Sequence, residues 1–189
     1  MDLNTFRQSC LSCSKCALCE TRTNVVYGVG PEDAKVMFVG EGPGQQEDLT
    51  GVPFVGAAGQ LLDRMLSIVD LGRHNCYIAN IVKCRPPKNR DPLPQEQEAC
   101  FPWLKQQIET IRPKIIICLG RIAAMKLIRE DFMITREHGS WTVKDGIYYT
   151  AIYHPSALLR DVSRRPDAFR DLKEIQRKIR ELCPDIWKQ

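Results

Sequence analysis

The sequence predicts an α/β fold, a parallel sheet with helices packed on both of its faces. Two observations carry this. Four short segments, 35–40 (KVMFVG), 75–83 (NCYIANIVK), 114–120 (KIIICLG) and 147–154 (IYYTAIYH), are rich in Val, Ile and Tyr and nearly continuous in apolar character. Strands buried on both faces read this way. Between them lie stretches with helical period, and that alternation is the pattern of a parallel sheet. In chain order, AAGQLLDRMLSIVD puts Leu61, Leu62, Met65, Leu66 and Val69 on one stripe. A second helix surrounds FPWLKQQIETI, and GRIAAMKLI supplies a third. Pro102 falls inside what would otherwise be one long helix from about Gln95, so a break or new start is expected there. The tail DAFRDLKEIQRKIREL places Phe169, Leu172, Ile175, Ile179 and Leu182 on one face and charges elsewhere, a closing amphipathic helix.

Length and composition narrow the class. The 189 residues are 43% hydrophobic, enough for one core of ordinary size, and no repeat or low-complexity linker divides them. A single domain over residues 1–189 is expected. No apolar run reaches the roughly 18 residues of a membrane span, and MDLNTFRQSC has neither a basic start nor an apolar core. A cytoplasmic protein without membrane attachment is expected, and no association stripe remains once the core faces are assigned, so it should be a monomer. A net charge of +4 permits an anionic partner without requiring one. Nine cysteines in a reducing compartment argue for metal ligation or buried thiols over disulfides.

In open α/β sheets ligands gather beyond the carboxyl ends of the strands. The residues leaving the predicted strands include Gly40-Glu41, Asn80 and His154, three polar groups that would converge on one crevice. The loop VGEGPGQQED is not a dinucleotide fingerprint, because its glycines do not give GxGxxG and Pro43 removes a backbone donor. It can still form a tight turn presenting amides and Glu41 to a small planar or anionic ligand. At the N-terminus CLSCSKCALC carries four cysteines three apart. These could close a local site, although bacterial ferredoxin runs have a longer last gap and a following Pro.

GEGPGQQEDLTGVPFVGAAGQLL, NIVKCRPPKNRDPLPQE and HPSALLR, with CSKCALCETRT upstream, together resemble the family 4, iron–sulfur uracil-DNA glycosylases, from about Cys13 to Arg160 in order and spacing. The resemblance implies a three-layer α/β/α sandwich with a four-stranded parallel sheet. It also implies a monofunctional enzyme that hydrolyses the N-glycosidic bond of uracil in DNA and leaves an abasic site. A base inside a duplex must be flipped into a pocket for such chemistry. Phe54 matches the stacking aromatic. Asn80 would read the N3 and O4 edge, where the donor pattern of cytosine is reversed. His154 would donate to O2 as charge accumulates on the departing base. Glu41 would orient the attacking water or stabilise the sugar cation, while Gly40, Gly42 and Pro43 shape the turn around the base. In HPSALLR, Leu158 is expected to wedge into the vacated stack, with Pro155, Ser156 and Arg160 against phosphates. Arg164 and Arg165 would extend that basic edge.

The family pattern CxxCxLxxxRT fits Leu18, Arg22 and Thr23 in one register only, which starts at Cys13. The resemblance therefore implies Cys13, Cys16, Cys84 and Cys100 as the ligands of a 4Fe-4S cluster, with Cys10 and Cys19 as neighbouring free thiols. Thiolates in a tetrahedral set suit zinc as well. Cys76 and Cys118 fall in strands and read as small buried hydrophobes. Two departures from the family stand out. Gly42 replaces the usual Ala of GEAPG and should loosen the turn, which bears on base range and not on reaction class. CRPPKNRDPLP lacks the His of a branch that traps the abasic sugar covalently. The competing readings are a glycosylase of broader base range, acting on hypoxanthine or damaged bases, and a non-catalytic iron–sulfur DNA-binding module.

Overall fold

The computed structural model describes residues 3–187. Strand β1 (Val36–Gly40) is buried at every residue; β2 (Tyr77–Asn80) pairs parallel on one side and β3 (Ile115–Leu119) parallel on the other. The sheet then departs from the sequence reading. Beyond β3 lies β5 (Ile147–Ile152), also parallel, and its outer edge carries a fifth strand, β4 (Trp141–Lys144), which runs antiparallel. The four expected parallel strands are therefore present within a five-stranded sheet of order β2-β1-β3-β5-β4. The extra strand is half a hairpin. Asp145 and Gly146 both take positive φ, the two-residue turn whose twist suits paired strands. Its residues are partly or wholly exposed, so it lacks the continuous apolar run that marked the others.

The central strands alternate sides. Met37, Val39, Tyr77, Ala79, Ile116 and Cys118 face one core, and Val36, Phe38, Ile78, Ile115, Ile117 and Leu119 the other. Against the first core lies α1 (Leu3–Leu11). Short helices α2 (Leu18–Thr21) and α3 (Gln45–Thr50) follow in the connections. Helix α4 (Ala57–Ile68) covers the second core, while α5 (Pro94–Ile111) and α6 (Arg121–Leu127) return to the first. After a single turn, α7 (Ile134–Glu137), α8 (Pro155–Arg160) and α9 (Arg165–Leu182) complete the second layer. The result is the expected α/β/α sandwich.

Pro102 does not break its helix, since α5 runs unbroken through it. The proline is exposed, so the Glu98 carbonyl it leaves without a partner can be hydrated, while Cys100, Trp103, Leu104 and Gln107 anchor the buried side. In α9 the buried stripe is Ala168, Leu172, Ile175 and Ile179; Phe169 is 51% exposed and lies outside the core.

Candidate active site and cysteine cavity

The parallel strands deliver their carboxyl ends to one cleft of about 500 Å³, whose walls include Glu41, Gly42, Pro43, Phe54, Asn80, His154, Ser156 and Arg160. Register pairs Gly40 with Asn80, side by side at the ends of β1 and β2. A Cβ on residue 40 would lie 2.5 Å from both Asn80 Oδ1 and Phe54 Cζ. Gly40 thus sits behind the pocket, where the absence of a Cβ lets Asn80 and Phe54 come close.

Asn80 is 1% exposed, and its Oδ1 has no hydrogen-bond partner. An orphaned buried acceptor costs about 1–3 kcal/mol, so the fold tolerates one chiefly where something else will donate to it. Phe54 is buried and holds a left-handed backbone, φ +54°, uncommon for a non-glycine residue. The strain, on the order of 1–3 kcal/mol, is held from two sides. The Glu47 carboxylate accepts from the main-chain N–H of Gly44 (3.1 Å), Val55 and Gly56 (2.8 Å each). Arg73, paired with Asp63 at 2.7 Å, donates to the carbonyls of Pro53 (2.9 Å) and Phe54. Neither Glu47 nor Arg73 was singled out from sequence. The position of Glu47 three residues after Gly44 is the local signal that could have identified it.

His154 stands across from Phe54, ring centroids 5.7 Å apart. The Ser156 main-chain N–H donates to His154 Nδ1 at 3.1 Å, and Ser156 Oγ lies 2.8 Å from the same atom. A backbone N–H can only donate, so Nδ1 is the acceptor and the ring proton resides on Nε2. Burial, helped by the positive charge of Arg160 and opposed by Glu47, pushes the imidazole down to about 4. At neutral pH His154 is a neutral donor. Glu41 moves the other way. Burial and then the nearby Asp91 charge raise its carboxyl to about 7, against the pull of Arg121 and Arg160.

The rim is basic, with Arg90, Arg121, Arg160 and Arg164 all lining the cleft. Arg90 grips Glu96 through two bonds (2.8 and 2.7 Å), Arg121 pairs with Asp91 at 2.6 Å, and Arg164 packs 5.1 Å over the Tyr153 ring. Leu158 is 2% exposed and packs in the core beneath α8, so it does not project from the surface in this structure, whereas Leu159 (41%) and Val162 (60%) are exposed. Helical geometry explains this, because consecutive residues point about 100° apart and the face of α8 that holds Pro155 and Leu158 is the one turned inward. Pro155 is buried too, and Ser156 is engaged with His154. At Gly42 φ is not left-handed, and a Cβ there would approach Val82 Cγ2 to 2.7 Å.

On the α1 and α5 side, Cys10, Cys13, Cys16, Cys19, Cys84 and Cys100 line a smaller cavity together with Arg22, Lys83 and Trp103. Three donors point at sulfur. Arg22 reaches Cys84 Sγ (3.3 Å), the Lys83 main-chain N–H reaches Cys100 Sγ (3.2 Å), and Trp103 Nε1 reaches Cys13 Sγ (3.4 Å). Arg22 also donates to the Cys13 carbonyl (2.7 Å), Leu18 is 1% exposed, and the Thr23 N–H donates to the buried Asp48 carboxylate (2.9 Å). Each non-cysteine residue of the CxxCxLxxxRT pattern therefore has a fastening role. Burial pushes the Cys10 thiol up to about 12 and the Cys100 thiol up to about 11. Among the described residues no group of three Cys, His, Asp or Glu side chains is arranged to hold a metal ion. Cys76 and Cys118 are fully buried, as expected of apolar packing residues.

Fold and cleft define an α/β protein with a preformed pocket at the carboxyl edge of its sheet. A family model of the Uracil DNA glycosylase superfamily matches residues 27–178. The type-4 uracil-DNA glycosylase of Archaeoglobus fulgidus is 46% identical over 191 residues, covering 96% of this chain and 93% of its own. That of Thermotoga maritima is 46% identical, covering 80% of each. A type-5 uracil-DNA glycosylase of Pyrobaculum aerophilum is 33% identical, covering 68% of this chain and 64% of its own. The chain belongs to the type-4 uracil-DNA glycosylases.

Proposed function

We propose that this protein excises uracil from DNA by hydrolysing its N-glycosidic bond, releasing the base and leaving an abasic site. The observation that carries the reading is the buried, unpartnered Oδ1 of Asn80. It is an acceptor awaiting the N3–H of uracil, with the amide N–H free to meet O4; cytosine, with an acceptor at N3 and an amine at C4, would face the wrong partners on both. Phe54 forms the stacking wall. His154, neutral and with its proton on Nε2, donates to O2 as negative charge develops on the leaving base. Glu41, its carboxyl held near neutrality, orients the attacking water and takes up its proton. Arg160, Arg90, Arg121 and Arg164 receive phosphates around the cleft mouth. Leu159, exposed beside the His154 loop, enters the stack where the nucleotide has left.

The cysteine cavity fits an inorganic cluster by its donor chemistry. Soft sulfurs surround it, three N–H donors aim at them, and Arg22 and Lys83 bring positive charge. Cys13, Cys16, Cys84 and Cys100 would hold a 4Fe-4S cluster, which when bound supplies a covalent cross-link between the N-terminal arm, the segment joining β2 to α5, and α5 itself. Incubation with an oligonucleotide carrying one uracil, followed by alkali, tests the activity. Strand scission at uracil is expected, with none at a cytosine control; an intact uracil strand would refute the reading.

A further inference from the structure

Lys83 is neither a group of the pocket chemistry nor a ligand of the cysteine site, although its charge faces the sulfurs. It is 1% exposed, yet among the described residues no carboxylate pairs with it. A buried cation is expensive unless its charge and its donors are satisfied. Its ammonium donates to the main-chain carbonyl of Asn80 (3.0 Å) and to Gln107 Oε1 (2.6 Å), and sits 5.8 Å over the Tyr27 ring. Gln107 is in turn fixed by donating to the Tyr27 carbonyl (2.8 Å) and the Tyr77 hydroxyl (3.0 Å). On its other side Lys83 lines the cysteine cavity, and its own main-chain N–H donates to Cys100 Sγ.

The Asn80–Ile81 peptide is thereby held at both ends. Its N–H donates to the Gly40 carbonyl at 2.9 Å, and its C=O accepts from Lys83. Asn80 is the last residue of β2, where the ladder no longer fixes the carbonyl, and a Cβ on its register partner Gly40 would lie 2.5 Å from both Asn80 Oδ1 and Phe54 Cζ, so the amide and the ring crowd the same point. A small rotation of this peptide would move the amide out of the plane of a bound base.

We infer that Lys83 is a positioning residue that couples the cysteine site to base reading: its ammonium fixes the Asn80 peptide and supplies the buried positive charge that faces the cysteine sulfurs. Integrity of the cysteine site is then felt in the uracil pocket without any contact between the two. The inference rests on Asn80 as the base reader.

Lys83→Met keeps length and burial and removes the donors. Two readings are taken against the wild type: inhibition by free uracil, and the rate at which a chelator withdraws iron from the chain. The inhibition constant for uracil should rise roughly tenfold, as for loss of one charge-assisted hydrogen bond, and iron should leave several-fold faster. Lys83→Gln, which keeps a donor, should recover part of the uracil effect. A merely structural defect would lower kcat by shrinking the active fraction and leave the inhibition constant unchanged. If either reading matches the wild type, the coupling is overturned. Should neither variant fold, wild-type protein stripped of iron decides, with a raised uracil inhibition constant supporting the coupling and an unchanged one overturning it. Failure of the underlying reading looks different: Asn80→Ala would then leave uracil inhibition as it was.

Discussion

The cleft and the cysteine cavity lie on the same fold but are built by different means. In the cleft each group is fixed by its own neighbourhood. Asn80 and Gly40 are register partners, His154 is held by Ser156 two residues on, and Glu47 clamps the Phe54 loop from within about ten residues. The cysteine cavity instead gathers residues 10–19 of the arm with 84 and 100, and protein donors reach only some of its sulfurs. Burial pushes up the thiols of Cys10, Cys16, Cys84 and Cys100, as suits groups that remain neutral until a metal displaces their protons. The cleft is preorganised by bonds within the chain, with Lys83 as its link to the sulfurs, whereas the cavity's donors leave several sulfurs without a partner bond. Changes in the cleft should therefore remove activity while leaving the fold, and changes at the sulfurs should remove stability and cofactor together.

The largest effect should follow Glu41→Gln, a loss of roughly 100- to 10,000-fold in kcat with DNA affinity retained. The wild-type pH profile supplies an independent check. A carboxyl raised to about 7 is ionised, and so able to act as base, only above that pH, so kcat/KM should climb with pH through about 7 and level off. The imidazole, lowered to about 4, stays a neutral donor throughout this range and should add no limb there. Glu41→Gln should flatten the rise. A profile that kept its limb in the variant would move the base elsewhere.

Next in size is the contrast among cysteines. Cys84→Ser should abolish the visible absorbance of anaerobically purified protein and lower its thermal midpoint, since Cys84 takes the Arg22 bond and stands among the buried sulfurs. Cys10→Ser should keep the absorbance. Loss of colour in both variants would show that the ligand set includes Cys10, which lines the same cavity.

The same division explains what could be read before the fold was known. The parallel strands were legible because residues such as Val36–Val39 and Ile115–Leu119 are buried on both faces and leave an unbroken apolar run. Strand β4 was not, because its exposed edge leaves no such run and its only mark is the Asp145-Gly146 turn. Asn80, His154 and Glu41 stood out by falling at strand ends, which topology alone brings together. Glu47 and Arg73 act through main-chain groups of the Phe54 loop; the spacing of Glu47 from Gly44 marks a helix cap but not that second contact, and nothing in the sequence marks Arg73. The leucine expectation meets the structure in a related way. Counting from His154 finds a position, but the turn of α8 decides which position faces outward.

The two adjacent leucines of α8 give the finest test of the boundary between core and cleft. Leu158→Ala should cost about 2–5 kcal/mol of stability, the usual range for emptying a buried leucine site, with kcat/KM of the folded protein little changed. Leu159→Ala, at a 41% exposed position, should leave the midpoint of unfolding within a degree or two. It should nonetheless slow excision from duplex DNA several-fold, because the vacated stack loses its filler, and slow it far less on single-stranded DNA, where no stack has to be held open. The ratio of duplex to single-strand rates separates this role from a general defect in binding, which would reduce both alike. If Leu158→Ala alters that ratio and Leu159→Ala does not, α8 must turn on DNA binding to bring Leu158 out of the core, and the cleft would be less preorganised than the unbound geometry makes it.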